Sequence, residues 1–290
     1  MGISVITDSC CDLPYKYIEE NNIEMISLTI IIDEENKKDT LAKDGHYEEF
    51  YQMISNGTMP KTSQANSFDF KEVFLKHCKA GNEVIYIGFS SALSGCINSA
   101  LIAKEEVEEE MPEAKIAVVD SKCASMGQGL LIYYAIEAIK EGKSLNEVVA
   151  YIEDLKLKIN HWFTVSDLNH LFRGGRVSKT AATVGTLLQI KPIMHVDDEG
   201  RLIPIEKVKG RKKALKVLVE KVKQNIVNAK EQVVFISHGA ALEEAEAIKQ
   251  QIMDECHVKD VWINYIGAAV GSHAGPGTIA IFFVGENREV

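Results

Sequence analysis

Small hydroxyl and acidic residues follow apolar, strand-like runs at four places in this 290-residue chain. The four places are Thr7-Asp8-Ser9, Ser90-Ser91 with Ser94-Gly95 close behind, Asp120-Ser121 and Ser237-His238. Ligands of open α/β sheets bind beyond the carboxyl ends of the strands, so these groups are the first candidates for a site. Backbone N–H groups at such junctions bind anions, although the same residues are also the preferred helix caps. The pattern predicts either an anion-binding cleft or ordinary capping.

Two further polar clusters lie between the predicted elements. Residues 61–64 (Lys-Thr-Ser-Gln) precede a helix, and residues 271–278 lead into the last strand, with His273 among three glycines and a proline. Glycine and proline at this density are typical of a turn. His273 is therefore interpreted either as a hydrogen-bonding group of a site or as a turn residue.

The common catalytic signatures are absent from the sequence. Gly142-Lys143-Ser144 resembles the end of a phosphate-binding loop, but Glu137 stands where its first glycine belongs, and neither GxSxG nor HExxH occurs. Ser94 and His273 are candidates for two members of a hydrolase triad, without an evident acid to complete it. We predict no catalytic residue, no cofactor and no metal site.

Charge and composition exclude several classes of partner. The net charge of −10 and the pI of about 5.4 argue against nucleic acid, although positive charge is concentrated at Lys207, Lys209 and residues 211–213. No apolar run approaches the roughly 20 residues of a membrane helix, and the N-terminus lacks the pattern of a signal peptide. The six cysteines form no CxxC pair, which favours a reducing compartment and predicts a cytoplasmic protein without a transmembrane segment.

The elements that must position these residues alternate in type along the first half of the chain. Apolar strands are predicted at residues 3–7, 25–32, 83–89 and 115–120, with helices at 13–21, 43–55, 67–79, 99–110 and 126–141. This rhythm is that of an α/β protein whose sheet is covered by helices. At 290 residues the chain predicts two α/β domains, which we divide into residues 1–157 and 158–290.

Seven motifs together resemble one known family. They are Asp8-Ser9 with Asp12-Leu13-Pro14, Thr62-Ser63-Gln64, residues 90–95 (SSALSG), Val119-Asp120-Ser121, residues 174–178 (GGRVS), Lys191-Pro192-Ile193 and residues 273–277 (HAGPG). Their order along the whole chain is that of the DegV family. The resemblance implies two α/β domains with a lipid-binding cleft between them. It also implies a long-chain fatty acid as ligand, presented to a separate ATP-dependent fatty-acid kinase subunit that forms the acyl phosphate.

The resemblance also assigns candidate site residues. Thr62 and Ser94, with Gly95 and His273, look like the group that binds the fatty-acid carboxylate. Arg173 and Arg176 resemble contacts of the head group or of a partner, and the region around Arg211 resembles the side that docks the kinase. The family commonly has threonine where this chain has Cys96, so the hydrogen bonds there are expected to differ.

Other interpretations remain open at this point. A lipid hydrolase or acyltransferase would use Ser94 and His273, and a lipid-sensing regulatory module would bind a protein other than a kinase. The small residues of segment 181–188 are candidates for the wall of a lipid tunnel or for close helix packing. The sequence leaves the length and unsaturation of the acyl chain open, together with the oligomeric state.

Overall fold

The computed structural model describes residues 2–178 and 189–288. Within them, a parallel sheet has the order β2-β1-β6-β7, a mixed sheet has the order β10-β9-β8-β13-β11-β12, and a small antiparallel sheet has the order β4-β3-β5. The strands are β1 (Ile3–Asp8), β2 (Glu24–Ile26), β3 (Thr29–Ile32), β4 (Glu35–Lys38), β5 (Lys61–Ser63), β6 (Glu83–Gly88), β7 (Ile116–Asp120), β8 (Ile159–Thr164), β9 (Ile190–Val196), β10 (Leu202–Lys209), β11 (Val233–His238), β12 (Asp260–Tyr265) and β13 (Ile279–Val284).

The helices are numbered in chain order through the described residues, and α4–α7, α9 and α10 pack on the two large sheets. They are α1 (Tyr15–Glu20), α2 (Leu41–Asp44), α3 (Tyr47–Ser55), α4 (Ser67–Lys79), α5 (Cys96–Glu110), α6 (Met126–Lys140), α7 (Leu145–Leu155), α8 (Asn169–Arg173), α9 (Arg211–Asn225), α10 (Leu242–Cys256) and α11 (Ala268–Ala274). In the described part of the chain, no helix is both long enough and apolar enough to cross a membrane.

The core is built in alternating layers of helix and sheet. Phe70 and Phe74 of α4 pack with α5 on one face of the parallel sheet. Trp162 and Ile236 point from the mixed sheet into a cluster covered by α9 and α10. The apolar alternation along each strand therefore gives each sheet a face toward its own helices and a face toward the centre.

Helix α6 occupies the centre and contacts strands of both large sheets, including β6, β8, β11 and β13. Its residues Leu130, Leu131 and Ile132 are all fully buried. A helix that is apolar all round must be covered on every side. The two sheets therefore share one core through α6, and we propose the boundary at 157/158 because it falls in the short turn Lys156–Lys158 that leads into β8.

The α/β fold with two sheet-based units is confirmed, and three local predictions need correction. The single strand expected at 25–32 is divided between two sheets as β2 and β3, because Leu28 leaves the ladder and donates its N–H to Ser9 Oγ (3.1 Å). The helix expected at 43–55 is interrupted at Gly45, whose φ of 75° is left-handed. His273 lies in helix α11 rather than in a turn. The segment 181–188 lies outside the described residues.

Arg288 ties the two units together near the end of the chain. Its side chain is 3% exposed, and its nitrogens donate five hydrogen bonds of 2.5–3.1 Å. The acceptors are Cys123 Sγ and the carbonyl oxygens of Lys122, Lys156, Ile159 and Asp197. They come from loops after β7 and β9, from the turn after α7 and from β8 itself, so one guanidinium fixes four segments.

Replacing Arg288 with methionine should lower the free energy of unfolding by about 3 kcal/mol or more, since several buried carbonyl groups lose their donors. Urea unfolding measures this change. The control is Arg201→Met, which removes a largely exposed arginine and should change stability by less than about 1 kcal/mol. Equal, small effects of the two substitutions would contradict this role of Arg288.

Candidate functional site

A cavity of about 390 Å³ lies where the carboxyl ends of β1 and β6 face the mixed sheet and helix α11. Its size is in the range of small-molecule sites, which is about 300–1,000 Å³. The described lining residues are Cys10, Leu28, Thr62, Ser63, Gln64, Phe89, Leu93, Ser94, Gly95, Ala124, Ser125, His161, Phe163, Leu171, Arg176, Val196, Leu202, Ser237, Ile266, Ala269, Val270, His273, Ala274, Thr278, Ala280 and Phe282. Of the polar residues predicted from strand ends, Ser94, Gly95 and Ser237 line this cavity. Those of the clusters at 7–9 and 120–121, with Ser90, Ser91 and His238, do not.

The four residues expected to bind a carboxylate all line this cavity: Thr62, Ser94, Gly95 and His273. Thr62 is held by the pairing of β5 with Ile30 of β3, and its Oγ1 lies 2.7 Å from Nε2 of His273 on α11. This hydrogen bond links residues that are 211 positions apart in the sequence. It is the contact that joins the small sheet to the last helix at the site.

Ser94 stands in a tight turn that follows β6. The backbone N–H groups of Leu93 and Ser94 both donate to the carbonyl oxygen of Ser90. The Ser94 hydroxyl lies 3.4 Å from both Sγ and N of Cys96. Cys96 is fully buried, and burial raises the pKa of its thiol to about 12. Cys96 thus lies behind Ser94 as a neutral thiol, outside the cavity lining.

Two glycines allow close approach at this end of the cavity. A Cβ atom on Gly95 would lie 2.0 Å from Gln64 Oε1, and one on Gly174 would lie 2.1 Å from His273 Nδ1. Both distances are far shorter than real Cβ contacts. The double-glycine segment is therefore the backbone against which the His273 ring rests, a role that its composition alone does not reveal.

Arg176 is the one formally charged side chain among the described lining residues. Its Nε and Nη2 donate to the carbonyl oxygen of Leu93 at 3.2 and 3.1 Å, and Nη1 donates to that of Gly174. Burial lowers the pKa of this half-buried guanidinium, and no carboxylate is among the groups that influence it. Among the described residues, the cavity therefore presents a positive charge without a carboxylate partner.

His273 is neutral near pH 7. Burial, with a smaller contribution from the positive charge of Arg176, lowers the pKa of its imidazole from 6.5 to about 4. A neutral imidazole beside Thr62 offers hydrogen bonds without a second positive charge. The polar end of the cavity thus combines one cation with neutral donors.

Helix α11 is fixed by two buried acids whose role the sequence did not reveal. Asp12 Oδ1 accepts the N–H of Gly267 (2.8 Å), and Asp39 Oδ2 accepts that of Ala269 (3.0 Å). Burial raises the pKa of Asp12, which also accepts from the Ser125 hydroxyl. Asp12 belongs to a motif noted in the sequence, but only the folded chain brings it to a helix 255 residues away.

The other two arginines singled out in the sequence do not line the cavity. Arg173 is exposed, and its Nη2 lies 3.3 Å from Nδ1 of His170. Arg211 begins α9 and forms a two-pronged ion pair with Glu244 of α10, with Nη2 to Oε2 at 2.6 Å. The structure thus separates Arg176, which faces the cavity, from Arg173 and Arg211, which do not.

The rest of the cavity is lined mainly by apolar side chains, together with the hydroxyl groups of Ser125, Ser237 and Thr278, which bond to other protein groups. Its walls come from both sheets and from α11, and they include Leu28, Phe89, Phe163, Ile266 and Phe282. These residues have the same types as ordinary core residues, so their position at a cavity cannot be predicted from the sequence. The site as a whole is amphipathic, with a polar end at Thr62, Ser94, Arg176 and His273.

The fold and the site define a two-domain α/β protein with an amphipathic cavity between its sheets. A family model described as "Uncharacterised protein, DegV family" matches residues 2–286, and the chain belongs to this family. A DegV domain-containing protein of Clostridium perfringens is 45% identical over 285 residues, covering 98% of each chain.

Solved structures of the family are similar over nearly the whole chain. A DegV family protein from Thermus thermophilus, described as binding fatty acid, has a TM-score of 0.89 and 28% identity, covering 98% of this chain and 100% of that one. A stearic acid-binding protein from Eubacterium ventriosum has a TM-score of 0.88 and 26% identity, covering 99% of each chain. The resemblance recognised in the sequence is confirmed.

In the ligand-free protein, the imidazole of His273 should titrate near pH 4. The unfolded chain takes up this proton near pH 6.5, so the contribution of His273 to stability is complete above pH 6.5 and decreases as the pH falls toward 4. NMR titration of histidine-labelled protein, with His273→Gln to assign the signal, measures the pKa. A His273 signal that titrates near pH 6.5 would contradict the buried, cation-facing environment described above.

Proposed function

We propose that this protein binds a long-chain fatty acid, with the carboxylate held at Thr62, Ser94 and Gly95 beside Arg176 and His273. The observation that carries the proposal is the amphipathic cavity. Among the described residues, its lining has one cation, Arg176, near the hydroxyl groups of Thr62 and Ser94, and the other walls are mainly apolar. Relatives of the same fold are described as fatty-acid-binding proteins. A fatty acid matches this cavity, because its anionic carboxylate suits the polar end and its apolar chain suits the apolar walls.

The carboxylate is the costly part of such a ligand. A buried carboxylate is strongly destabilised unless it is paired and hydrogen-bonded. Arg176 supplies the opposite charge, and the hydroxyl groups of Thr62 and Ser94 supply donors of the kind that form strong charge-assisted hydrogen bonds. The carboxylate of the bound acid would also pair with Arg176, for which the described residues provide no counter-ion.

The acyl chain supplies the affinity. Burial contributes about 0.8 kcal/mol per methylene, so roughly fourteen methylenes offer on the order of 11 kcal/mol before the entropy of binding is deducted. The apolar walls from both sheets are the surfaces that would take up this chain. We infer that the acid lies with its head group at Thr62 and its chain between the sheets.

We further propose that the protein carries its ligand to a separate ATP-dependent kinase subunit, which phosphorylates the carboxylate. The support is geometric: Ser63 and Gln64 at the polar end are exposed, whereas Val196 and Phe282 at the apolar end are buried. A carboxylate at the polar end would be the part of the ligand within reach of a partner. We expect acyl phosphate to form from the bound acid when such a subunit and ATP are added. We expect none to form when this protein is left out.

The hydrolase alternative receives less support from the geometry. His273 bonds to Thr62, and Ser94 bonds to Cys96, so the described hydrogen bonds do not join Ser94 to a base. We therefore propose a carrier without covalent chemistry of its own. Turnover of an acyl ester that is lost in Ser94→Ala would favour the enzyme instead.

Replacing Arg176 with glutamine should weaken fatty-acid binding by about tenfold to a hundredfold, because a hydrogen bond to a charged group contributes about 1.5–3 kcal/mol. Arg173→Gln is the matched control, since it removes an exposed arginine of the same segment and should leave affinity unchanged. Titration calorimetry with palmitate after removal of bound lipid measures both. Equal affinities in the two variants would show that Arg176 does not bind the head group.

A further inference from the structure

The mixed sheet presents its side chains to the cavity in successive rows across the strands. Ala280 lies opposite both Ser237 and Phe163 in the register of β11, β13 and β8, and all three residues line the cavity. Thr278, two residues earlier on the chain, donates its hydroxyl to the carbonyl of Ala274, the neighbour of His273. This first row is therefore the one nearer the polar end.

The second row is the last one to reach the cavity. His161 of β8 pairs with Phe282 of β13. Strands β8 and β9 are antiparallel and Phe163 pairs with Met194, so His161 lies opposite Val196 of β9 and the two share a row. These three residues line the cavity and are only 1–2% exposed. The next row, with Ile159 and Val284, does not line it. Since strands rise about 3.3 Å per residue, this boundary lies roughly 13 Å along β13 from Thr278.

The imidazole of His161 has no polar atom left for a ligand. The backbone N–H of Ala124 donates to Nε2 (3.3 Å), which assigns the proton to Nδ1, and Nδ1 then donates to the carbonyl of Ile159 (3.0 Å). Burial and the positive charge of Arg288 lower the pKa of His161, so the ring is neutral. It therefore presents an uncharged ring surface to the cavity.

The same ring is also held rigidly. It packs edge-on against Phe282 with a centroid distance of 5.3 Å. On another side, a Cβ atom on Gly127 would lie 2.1 Å from Nε2, so the first turn of α6 abuts the ring without a gap. Because two hydrogen bonds and a backbone contact hold this ring in place, we expect it to move little when a longer ligand binds.

We propose that His161, with Phe282 and Val196, forms the end wall that sets the longest acyl chain this cavity accepts. The proposal rests on the proposed function, because it concerns the chain of the bound fatty acid. Each additional methylene that is buried beyond the present wall should increase the affinity of the fatty acid about fourfold, which is equivalent to about 0.8 kcal/mol. Removing the ring should therefore favour longer acids, and filling the row before it should favour shorter ones.

The test is competition within an equimolar series of saturated fatty acids from lauric to arachidic acid, with the bound fraction read by mass spectrometry. His161→Ala should shift the bound acids toward longer chains by about fourfold per methylene accommodated. Ala280→Leu, which adds bulk in the first row, should shift them toward shorter chains. The matched control Val284→Ala removes apolar volume one row beyond the wall and should keep the wild-type profile.

Val196→Ala is a second variant that enlarges the cavity at the same row, in case His161→Ala fails to fold. The valine side chain makes no hydrogen bond, so its removal leaves no polar group unpaired. The end wall is refuted if folded variants at both positions bind the wild-type distribution of chain lengths, or if Val284→Ala shifts it as much as they do. Failure of the proposed function has a different signature, since the wild-type protein would then bind no member of the series.

Discussion

The arrangement of the whole molecule depends on the burial of helix α6 between two sheets. Its first two turns, residues 126–132, are buried on every side, with Leu130 and Ile132 fully buried, so neither sheet alone is enough to cover it. Each sheet gives one face to this helix and the other to its own helices. The cavity lies just before the first turn of α6, where Ala124 and Ser125 line it and the helix no longer fills the space between the sheets.

The cavity is polarised by a small number of buried groups. Arg176 brings a positive charge, and that charge helps to keep His273 neutral, so among the described residues the polar end holds one cation rather than two. Asp12 and Asp39 are also buried, and each accepts a hydrogen bond from a backbone N–H at the start of α11. The acids thus fix the helix that carries His273.

Much of this could be predicted from the sequence, because the relevant signals are local. Helices α4 and α6 and strand β6 lie where periodicity and apolar runs place them. Polar residues directly after strands marked Ser94 as a candidate, and motif resemblance added Thr62 and His273. The α/β class and the two-sheet organisation follow from the alternation of strand and helix.

The remainder depends on contacts between distant segments. Strand β10 carries several charged residues along an edge of the mixed sheet, so it lacks the apolar pattern of a buried strand. Gly174 contacts the His273 ring, and Arg288 bonds to several distant segments. Both roles can be recognised only from the tertiary structure. Residues such as Val196 and Phe282 line the cavity with side chains that are ordinary in a core, and their position in a row is visible only from strand register.

The most direct test of fatty-acid binding is denaturing mass spectrometry of the organic extract of the purified protein, with Thr62→Ala and Ser94→Ala prepared in parallel. We expect a near-stoichiometric fatty acid in the wild type and a depleted one in both variants. A wild-type protein that carries no fatty acid, and takes up none when it is added, would contradict the proposed binding.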